Sequence, residues 1–290
     1  MEYVFHIVIM LNIYVMLVLS ANLTIGMANL LTMCQAAFYG IGAYIGTFFL
    51  MQFHVPFVII IFAVALLSGL FSFLVSYASG KLKGDYFVLS TMAFQLIVYT
   101  ILYNWTSVTK GPYGIPGIPG IRIFGVFELS GIYAYLVLSL VLTGIIILLF
   151  RNLLNSPYGR ELRAIKADDT IMQSMGRNTM AAKSWAFFIS AAVAGVAGVV
   201  YASYVSYIDP TSFSLDESIF IISALFIGGI GNIKGPIFGA LFVVLIPELL
   251  RFVGLPDSIA ANLRQVLYGL SLILIVYFRP QGLFGKTVMK

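Results

Sequence analysis

Apolar stretches recur from one end of the chain to the other, separated by short polar turns, over 4–20, 22–35, 36–52, 56–78, 86–104, 131–150, 184–206, 217–231, 234–253 and 262–279. A hydrocarbon core of about 30 Å takes roughly 20 residues of α-helix to cross, and most of these runs are close to that length. Backbone groups in lipid must be satisfied within the segment, and the runs do not alternate as barrel strands would, so each is read as helix. The pattern predicts an all-α, polytopic transmembrane helical bundle of about nine or ten spans. Two stretches are short and punctuated: 22–35 holds Asn22, Asn29, Thr32 and Gln35, and 228–239 holds Gly228, Gly229, Gly231, Gly235, Gly239 and Pro236. Broken or re-entrant helices are expected there, since irregular backbone at membrane depth is tolerated only against protein or a water-filled path. The stretch from Val4 to Leu19 lacks a basic leader and a small-residue cleavage site, and reads as a retained helix rather than a signal peptide.

Composition agrees: 61% of the 290 residues are hydrophobic and 9% charged, where a soluble domain carries nearer a quarter charged. The net charge of +5 does not point to nucleic acid, because the Lys and Arg gather in a few connections. The longest, 151–183, carries Arg151, Arg160, Arg163, Lys166, Arg177 and Lys183; the Lys81–Lys83 turn and the tail with Arg279, Lys286 and Lys290 are also basic. By the positive-inside rule these face the cytoplasm. The acidic connection around Asp209, Asp216 and Glu217 and the Gly- and Pro-rich segment 106–130 then face outward, with both termini cytoplasmic. One membrane domain, 1–290, with the loop 151–183 beneath it, is the expected organisation. Cys34 is the sole cysteine and His6 and His54 the sole histidines, so no internal disulfide can form and no metal or other cofactor is expected. The two histidines read as interfacial residues at helix ends, His6 near the inner end of the first span, rather than as a proton relay.

Chemistry concentrates in the loop. Pro157 and Gly159 punctuate its start, and Leu162, Ile165, Ile171, Met172 and Met175 form an apolar stripe on a short amphipathic helix. Such a helix either inserts into a groove of a soluble partner or lies on lipid headgroups, and composition alone leaves both open. Within the spans, Asn22, Asn29, Thr32, Gln35, Thr91, Gln95 and Asn104 are candidates either for a solute path or for interhelical hydrogen bonds. Small residues four apart, Gly42 with Gly46, Ala191 with Gly195, Ala194 with Gly198, and the series Gly231, Gly235, Gly239, permit close helix packing within the chain or against a sister subunit. Asp209-Pro210 suits an outer turn, or a contact with an external protein. The sequence speaks against an intramembrane hydrolase, since no Ser/His, Cys/His or HExxH constellation can be built from it. A secondary transporter would need ion-coupling carboxylates inside the bundle and a paired repeat, neither of which is evident. No phosphate-binding loop of the Gly-x-x-x-x-Gly-Lys-Ser/Thr type occurs, so energy for active transport must come from another subunit.

The loop reads Ser156-Pro157-Tyr158-Gly159-Arg160-Glu161-Leu162-Arg163-Ala164-Ile165-Lys166-Ala167-Asp168-Asp169, then Met175-Gly176-Arg177-Asn178 and Lys183-Ser184-Trp185-Ala186-Phe187. It closely resembles the cytoplasmic loop of branched-chain amino acid permeases of the LivM type, membrane subunits of bacterial and archaeal ABC importers. The resemblance continues through Ala36–Tyr44, Lys83–Phe87, Thr91–Phe94, Gly111–Pro119, Ala194–Gly198, Asp209-Pro210, Gly228–Pro236 and Arg279–Gly285, in order along most of the chain. It departs from the family at Ile171 and Met172, where two alanines are usual, at Asp169, where glutamate is common, and at Met33-Cys34-Gln35. The resemblance implies an importer in the prokaryotic plasma membrane, built from this permease, a second homologous permease, two cytoplasmic ATP-binding subunits and an extracytoplasmic solute-binding protein. It assigns contact with the ATPase to Gly159, Arg160, Glu161, Leu162, Arg163, Ala164, Ile165, Asp169 and Gly176. Asn29, Thr32, Gln35, Thr91 and Gln95 remain the path candidates, and Gly195, Gly198, Gly228, Gly229, Gly231, Gly235 and Pro236 the packing or hinge positions. The implied solute is leucine, isoleucine or valine, with urea, short amides or other amino acids as the alternative within the same scaffold.

Overall fold

The computed structural model describes residues 2–53, 55–80, 82, 84–123, 127–128, 131–252, 263, 266–267, 269–271, 273–274, 277 and 282–284. His54, Lys81, Lys83, Arg279, Lys286 and Lys290, and most of the expected last span 262–279, lie outside the described residues.

The described residues are helical almost throughout. In order come α1 (Glu2–Ala21), which runs into a π-helical turn (Asn22–Met27), α2 (Gln35–Gln52), α3 (Phe57–Ser79), α4 (Asp85–Asn104), the short α5 (Thr106–Thr109), α6 (Ile132–Asn155), α7 (Pro157–Ala167), α8 (Asp169–Ser174), α9 (Thr179–Val205), α10 (Leu215–Gly228) and α11 (Lys234–Phe252). Among the described residues five stretches are long and apolar enough to cross a membrane: Glu2–Met27, α3, α4, α6 and α9. Within its most apolar window α9 is 78% buried, against 22% for α4 and for α6, so α9 is the central post and the other two are peripheral. The outer faces of α3, α4 and α6 expose Phe62, Leu74, Leu89, Ile97, Val137 and Leu148, as helices bathed in hydrocarbon do.

Close approach to α9 depends on glycine. A Cβ on Gly42 of α2 would lie 2.2 Å from the Gly195 carbonyl oxygen, and one on Gly46 the same distance from Val199 Cγ2. Gly198 presses on the Tyr39 carbonyl, and Gly195 admits Ser68 of α3. The small-residue pairs therefore face partners within this chain. These contacts also fix direction: α2 runs parallel to α9, while α3, with Ser76 on Ser184 and Gly69 on Phe188, runs antiparallel.

The stretch 22–35 is not a span of its own. Its first part prolongs α1, and 28–34 is an irregular connection in which Asn29 takes the left-handed conformation (φ 57°) and Met33 N donates to Thr91 Oγ1. α2 then begins deep in the bundle, with Gln35 level with Ser20 and Ser190. Removing one crossing before the loop reverses the first helix relative to it. Phe5 stacks near Tyr133 at the start of α6, and His6 Nδ1 lies 2.7 Å from Tyr204 Oη near the end of α9. The Glu2 end of the chain and His6 thus sit at the end of the bundle opposite α7, and the sequence expectation that the N-terminus shares a side with the 151–183 loop is corrected. Residues 282–284 lie near the α7 end, where Leu283 N and Phe284 N donate to Ile227 and Gly228 carbonyls.

α10 and α11 form a hairpin closed by Gly228, Gly235 and Gly239; a Cβ on any of them would overlap the backbone of the other helix. The two punctuated segments noted in the sequence meet here. Gly231 N donates to Asn22 Oδ1 at 2.9 Å, and Asn22 Nδ2 donates to the Asn232 carbonyl at 2.7 Å. At the opposite end, a two-residue strand β1 (Ile115–Pro116) pairs antiparallel with Tyr207–Ile208 and holds the Gly- and Pro-rich segment on the end of α9.

Candidate functional site

The loop 151–183 folds as two helices rather than one. Ser156 caps α7, accepting from Gly159 N at 3.2 Å, with Pro157 in the first turn, where its missing N–H is harmless. Asp168 takes an extended conformation, ends α7 and caps α8 by accepting from Thr170 N (2.8 Å) and Ile171 N (3.0 Å). This break divides the expected apolar stripe. Leu162 (0% exposed) and Ile165 (3%) pack inward with Gly159, whereas Ile171 (58%) and Met175 (72%) face outward. Of the residues assigned to ATPase contact, Gly159, Leu162 and Ile165 are therefore anchors against the bundle; Arg160, Arg163 and Gly176 are exposed, and Glu161, Ala164 and Asp169 are half-buried. A Cβ on Gly159 would come within 2.3 Å of the Leu153 carbonyl oxygen, so glycine sets how closely α7 folds back on α6.

Polar contacts brace the loop. Arg177 pairs with Glu161 at 2.9 Å and Lys183 with Asp169 at 2.8 Å, so both ends of the segment are tied across α8. Burial pushes the Asp169 carboxyl up, but hydrogen bonds from Lys183, Thr179 and Gln173 and the Lys183 charge outweigh it and hold the group below its ordinary value. Tyr158 Oη donates to the Ala182 carbonyl at 2.7 Å, and burial raises this phenol well above its ordinary value. Lys166 reaches furthest: its Nζ donates to the Gly26 carbonyl at 2.8 Å, at the π-helical end of the first span, and burial lowers its pKa. Gly26 itself adjoins Gly231 N. One lysine of the loop thus touches the point where the two irregular segments meet.

The path candidates are scattered. Gln35 Nε2 donates to Ser20 Oγ (2.7 Å) and Ser190 Oγ (2.9 Å), joining α1, α2 and α9, while its Oε1 is buried with no partner. Thr91 accepts from Met33 N, and Gln95 Nε2 donates to the Phe213 carbonyl while Oε1 accepts from Ser218. Thr91 and Gln95 therefore tie α4 to the chain's irregular segments. Thr32 is buried, and Asn29 is exposed at the α7 end of the bundle. Asn104 is exposed and bonded to its own helix. Gly195, Gly198, Gly228, Gly229, Gly231 and Gly235 occupy helix contacts or turns, with positive φ at Gly229 (107°) and Gly231 (85°), and Pro236 lies in the first turn of α11.

One chemically important residue was read differently in the sequence. Glu217, assigned there to an acidic outer connection, is drawn into the bundle at the start of α10, where its carboxylate accepts from the Tyr14 hydroxyl of α1. The signal was Ser214-x-x-Glu217, the spacing of a capping box, which places the glutamate inside a helix's first turn. Asp209, by contrast, stays in its turn, accepting from Ser212 N, Ser212 Oγ and Thr211 Oγ1. Burial acts to raise its pKa, but these bonds prevail and hold it below its ordinary value.

The described residues thus form an apolar-faced helical bundle with a braced loop at one end and two irregular segments meeting in its interior. The family described as branched-chain amino acid transport system / permease component matches residues 3–276, and the chain belongs to it. It is 31% identical to the high-affinity branched-chain amino acid transport system permease protein LivM of Salmonella typhimurium, over 96% of this chain and 69% of the relative. It is 30% identical to the LivM protein of Escherichia coli, over 95% and 68%. It is also 24% identical to the probable branched-chain amino acid transport permease protein LivH of Methanocaldococcus jannaschii, over 94% and 89%. No solved structure matches the chain significantly.

Proposed function

We propose that this chain is one of two homologous membrane halves of an ATP-binding-cassette importer in a prokaryotic plasma membrane, carrying leucine, isoleucine and valine inward. Two cytoplasmic ATPases supply the energy, and an extracytoplasmic binding protein delivers the solute. The observation that carries this reading is the family match over residues 3–276 together with a loop that is both exposed and anchored. Arg160, Arg163, Ile171 and Met175 are the side chains available to a partner, and Gly159, Leu162 and Ile165 bind the same loop to the bundle. Docking on the ATPase puts α7 on the cytoplasmic side, which leaves the Glu2 end outside and residues 282–284 inside.

Mechanistically, closure of the ATPases pushes α7 and α8 as a unit. The Glu161–Arg177 and Asp169–Lys183 pairs keep that unit stiff. Lys166 passes the displacement to Gly26, and through Asn22 to Gly231 and Asn232. Broken helices are where a bundle can hinge without losing whole turns of hydrogen bonds, so motion at α7 reopens the bundle at its irregular centre. Uptake of labelled leucine by cells expressing the chain with its partner subunits tests the reading. Competition by isoleucine and valine, and none by urea or acetamide, is expected; competition by the amides alone moves the substrate to the other branch of the scaffold.

A further inference from the structure

The outward face of α6 is apolar until its last turns. Val137, Val141, Ile145 and Leu148 follow one another at three- and four-residue spacing and all are exposed, as side chains in hydrocarbon are. Toward the α7 end the stripe runs into Arg151 and then Asn155, both exposed. α7 folds back on α6, and Arg160 returns to this end: its Nη1 donates to the Asn155 carbonyl at 3.3 Å. Arg151 and Asn155 are one helical turn apart, about 6 Å along the axis. Two guanidinium arms thus stand at one corner, at the foot of a lipid-facing stripe.

The depth of this corner is that of lipid headgroups. Tyr158 Oη donates to the Ala182 carbonyl, which sets the turn between α6 and α7 level with the start of α9. Trp185 is exposed at that level, and so is Tyr77 of α3, whose neighbour Ser76 meets Ser184. Such rings gather where membrane meets water. The carboxylates of the loop are already engaged: Glu161 with Arg177, Asp169 with Lys183, and Asp168 with the amides that open α8. Among the described residues no carboxylate pairs with Arg151 or Arg160, and the bond to Asn155 is the one hydrogen bond their guanidiniums make.

We propose that Arg151 and Arg160 together bind the phosphate of an anionic phospholipid in the leaflet on the α7 side, with its acyl chains along Val141, Ile145 and Leu148. The planar guanidinium fork matches phosphate oxygens in pairs, and basic sites at the cytoplasmic ends of membrane helices are where such headgroups settle. Only the consequence rests on the importer reading above. A phosphate shared by the two arms ties the start of α7 to the end of α6, at the turn that Gly159 keeps close, and so stiffens the loop that the ATPases push.

Phosphatidylglycerol is the probe. The purified chain, in micelles that also hold phosphatidylcholine, should retain phosphatidylglycerol when bound lipid is counted by mass spectrometry. Arg151→Gln should need about fivefold more for equal occupancy, as befits one arginine at a membrane surface. Arg151→Lys, which keeps the charge and loses the fork, should fall between. Lys234→Gln, which removes another exposed cation at the α7 end, should match the parent. Equal retention by the parent and Arg151→Gln, or an equal loss in Lys234→Gln, would overturn the site. Millimolar inorganic phosphate should leave retention unchanged; displacement of the lipid would assign the corner to a soluble phosphate and overturn the lipid. In proteoliposomes of the complete transporter with binding protein and ATP, leucine uptake by the parent should rise several-fold as phosphatidylglycerol replaces phosphatidylcholine. Arg151→Gln should match the parent in pure phosphatidylcholine and reach half of the rise only at about fivefold higher phosphatidylglycerol; one shared midpoint would overturn the effect on the loop. Absence of leucine uptake by the parent in every lipid would overturn the importer reading, and lipid retention would still decide the site.

Discussion

Replacing Gly42 by alanine probes a close backbone contact between α2 and α9. The added Cβ would stand 2.2 Å from Gly195 O, 2.3 Å from Gly195 Cα and 2.5 Å from Gly195 C. All three are backbone atoms, so no side chain can turn aside. Carbon atoms rest at about 3.5–4.0 Å, and α2 and α9 must therefore part by roughly 1 Å. Overpacking of this kind costs about 1–3 kcal/mol, while the better helix propensity of alanine returns at most about 1 kcal/mol. With the full return counted, the net loss is up to about 2 kcal/mol. Gly144 of α6 is the matched control, because a Cβ there meets nothing within 4 Å. Thermal unfolding of the purified protein in one detergent should place Gly42→Ala several degrees below the parent and Gly144→Ala at or above it. Equal midpoints for the two variants would refute the idea that glycine sets the α2–α9 distance.

Lys166→Met keeps an unbranched apolar stem one atom shorter and removes the hydrogen bond to Gly26; ATP hydrolysed per leucine imported should rise several-fold with ATPase binding retained, and an unchanged ratio counts against transmission through Lys166. Asp168→Ala removes the cap of α8, a loss of about 0.5–2 kcal/mol. Amide exchange over 169–174 should quicken accordingly, and unaltered protection would show that the cap is dispensable. Asp169 has a folded pKa below its ordinary 3.8, so its pairing with Lys183 stabilises fully above that value and fades as pH falls through the folded one. Asp169→Asn should therefore be less stable than the parent near neutral pH and indistinguishable from it well below 3.8; a gap that persists in acid would assign the loss to packing.

Where the sequence spoke through length and hydropathy, it was legible. The runs 56–78, 86–104, 131–150 and 184–206 correspond to α3, α4, α6 and α9 with ends displaced by a few residues. What it concealed was long-range. The stretch 22–35 has the hydropathy of a short span, but Asn22 is held by Gly231 and Asn232, more than two hundred positions away, and no local pattern announces that bond. Losing that one crossing carried His6 and the Glu2 end to the other side of the bundle. In the loop, the charges were readable, and Asp168 followed by two backbone donors carries a capping signal; grouping Leu162 and Ile171 in one stripe overlooked that residues nine positions apart lie on opposite faces even of a continuous helix, and Leu162 is buried while Ile171 is exposed. Glu217 shows the same limit. Its spacing from Ser214 placed it in a helix's first turn, but only the approach of α1 supplies Tyr14, and Ser214 itself makes no side-chain cap.

Transport measured in sealed proteoliposomes tests the central claim most directly. Vesicles carrying both permeases, both ATPases and the binding protein should accumulate labelled leucine only when ATP is supplied on the side of α7, and vesicles carrying the permeases alone should accumulate none. Accumulation by the permeases alone, or by the complex without ATP, would contradict a bundle driven from outside itself through that loop.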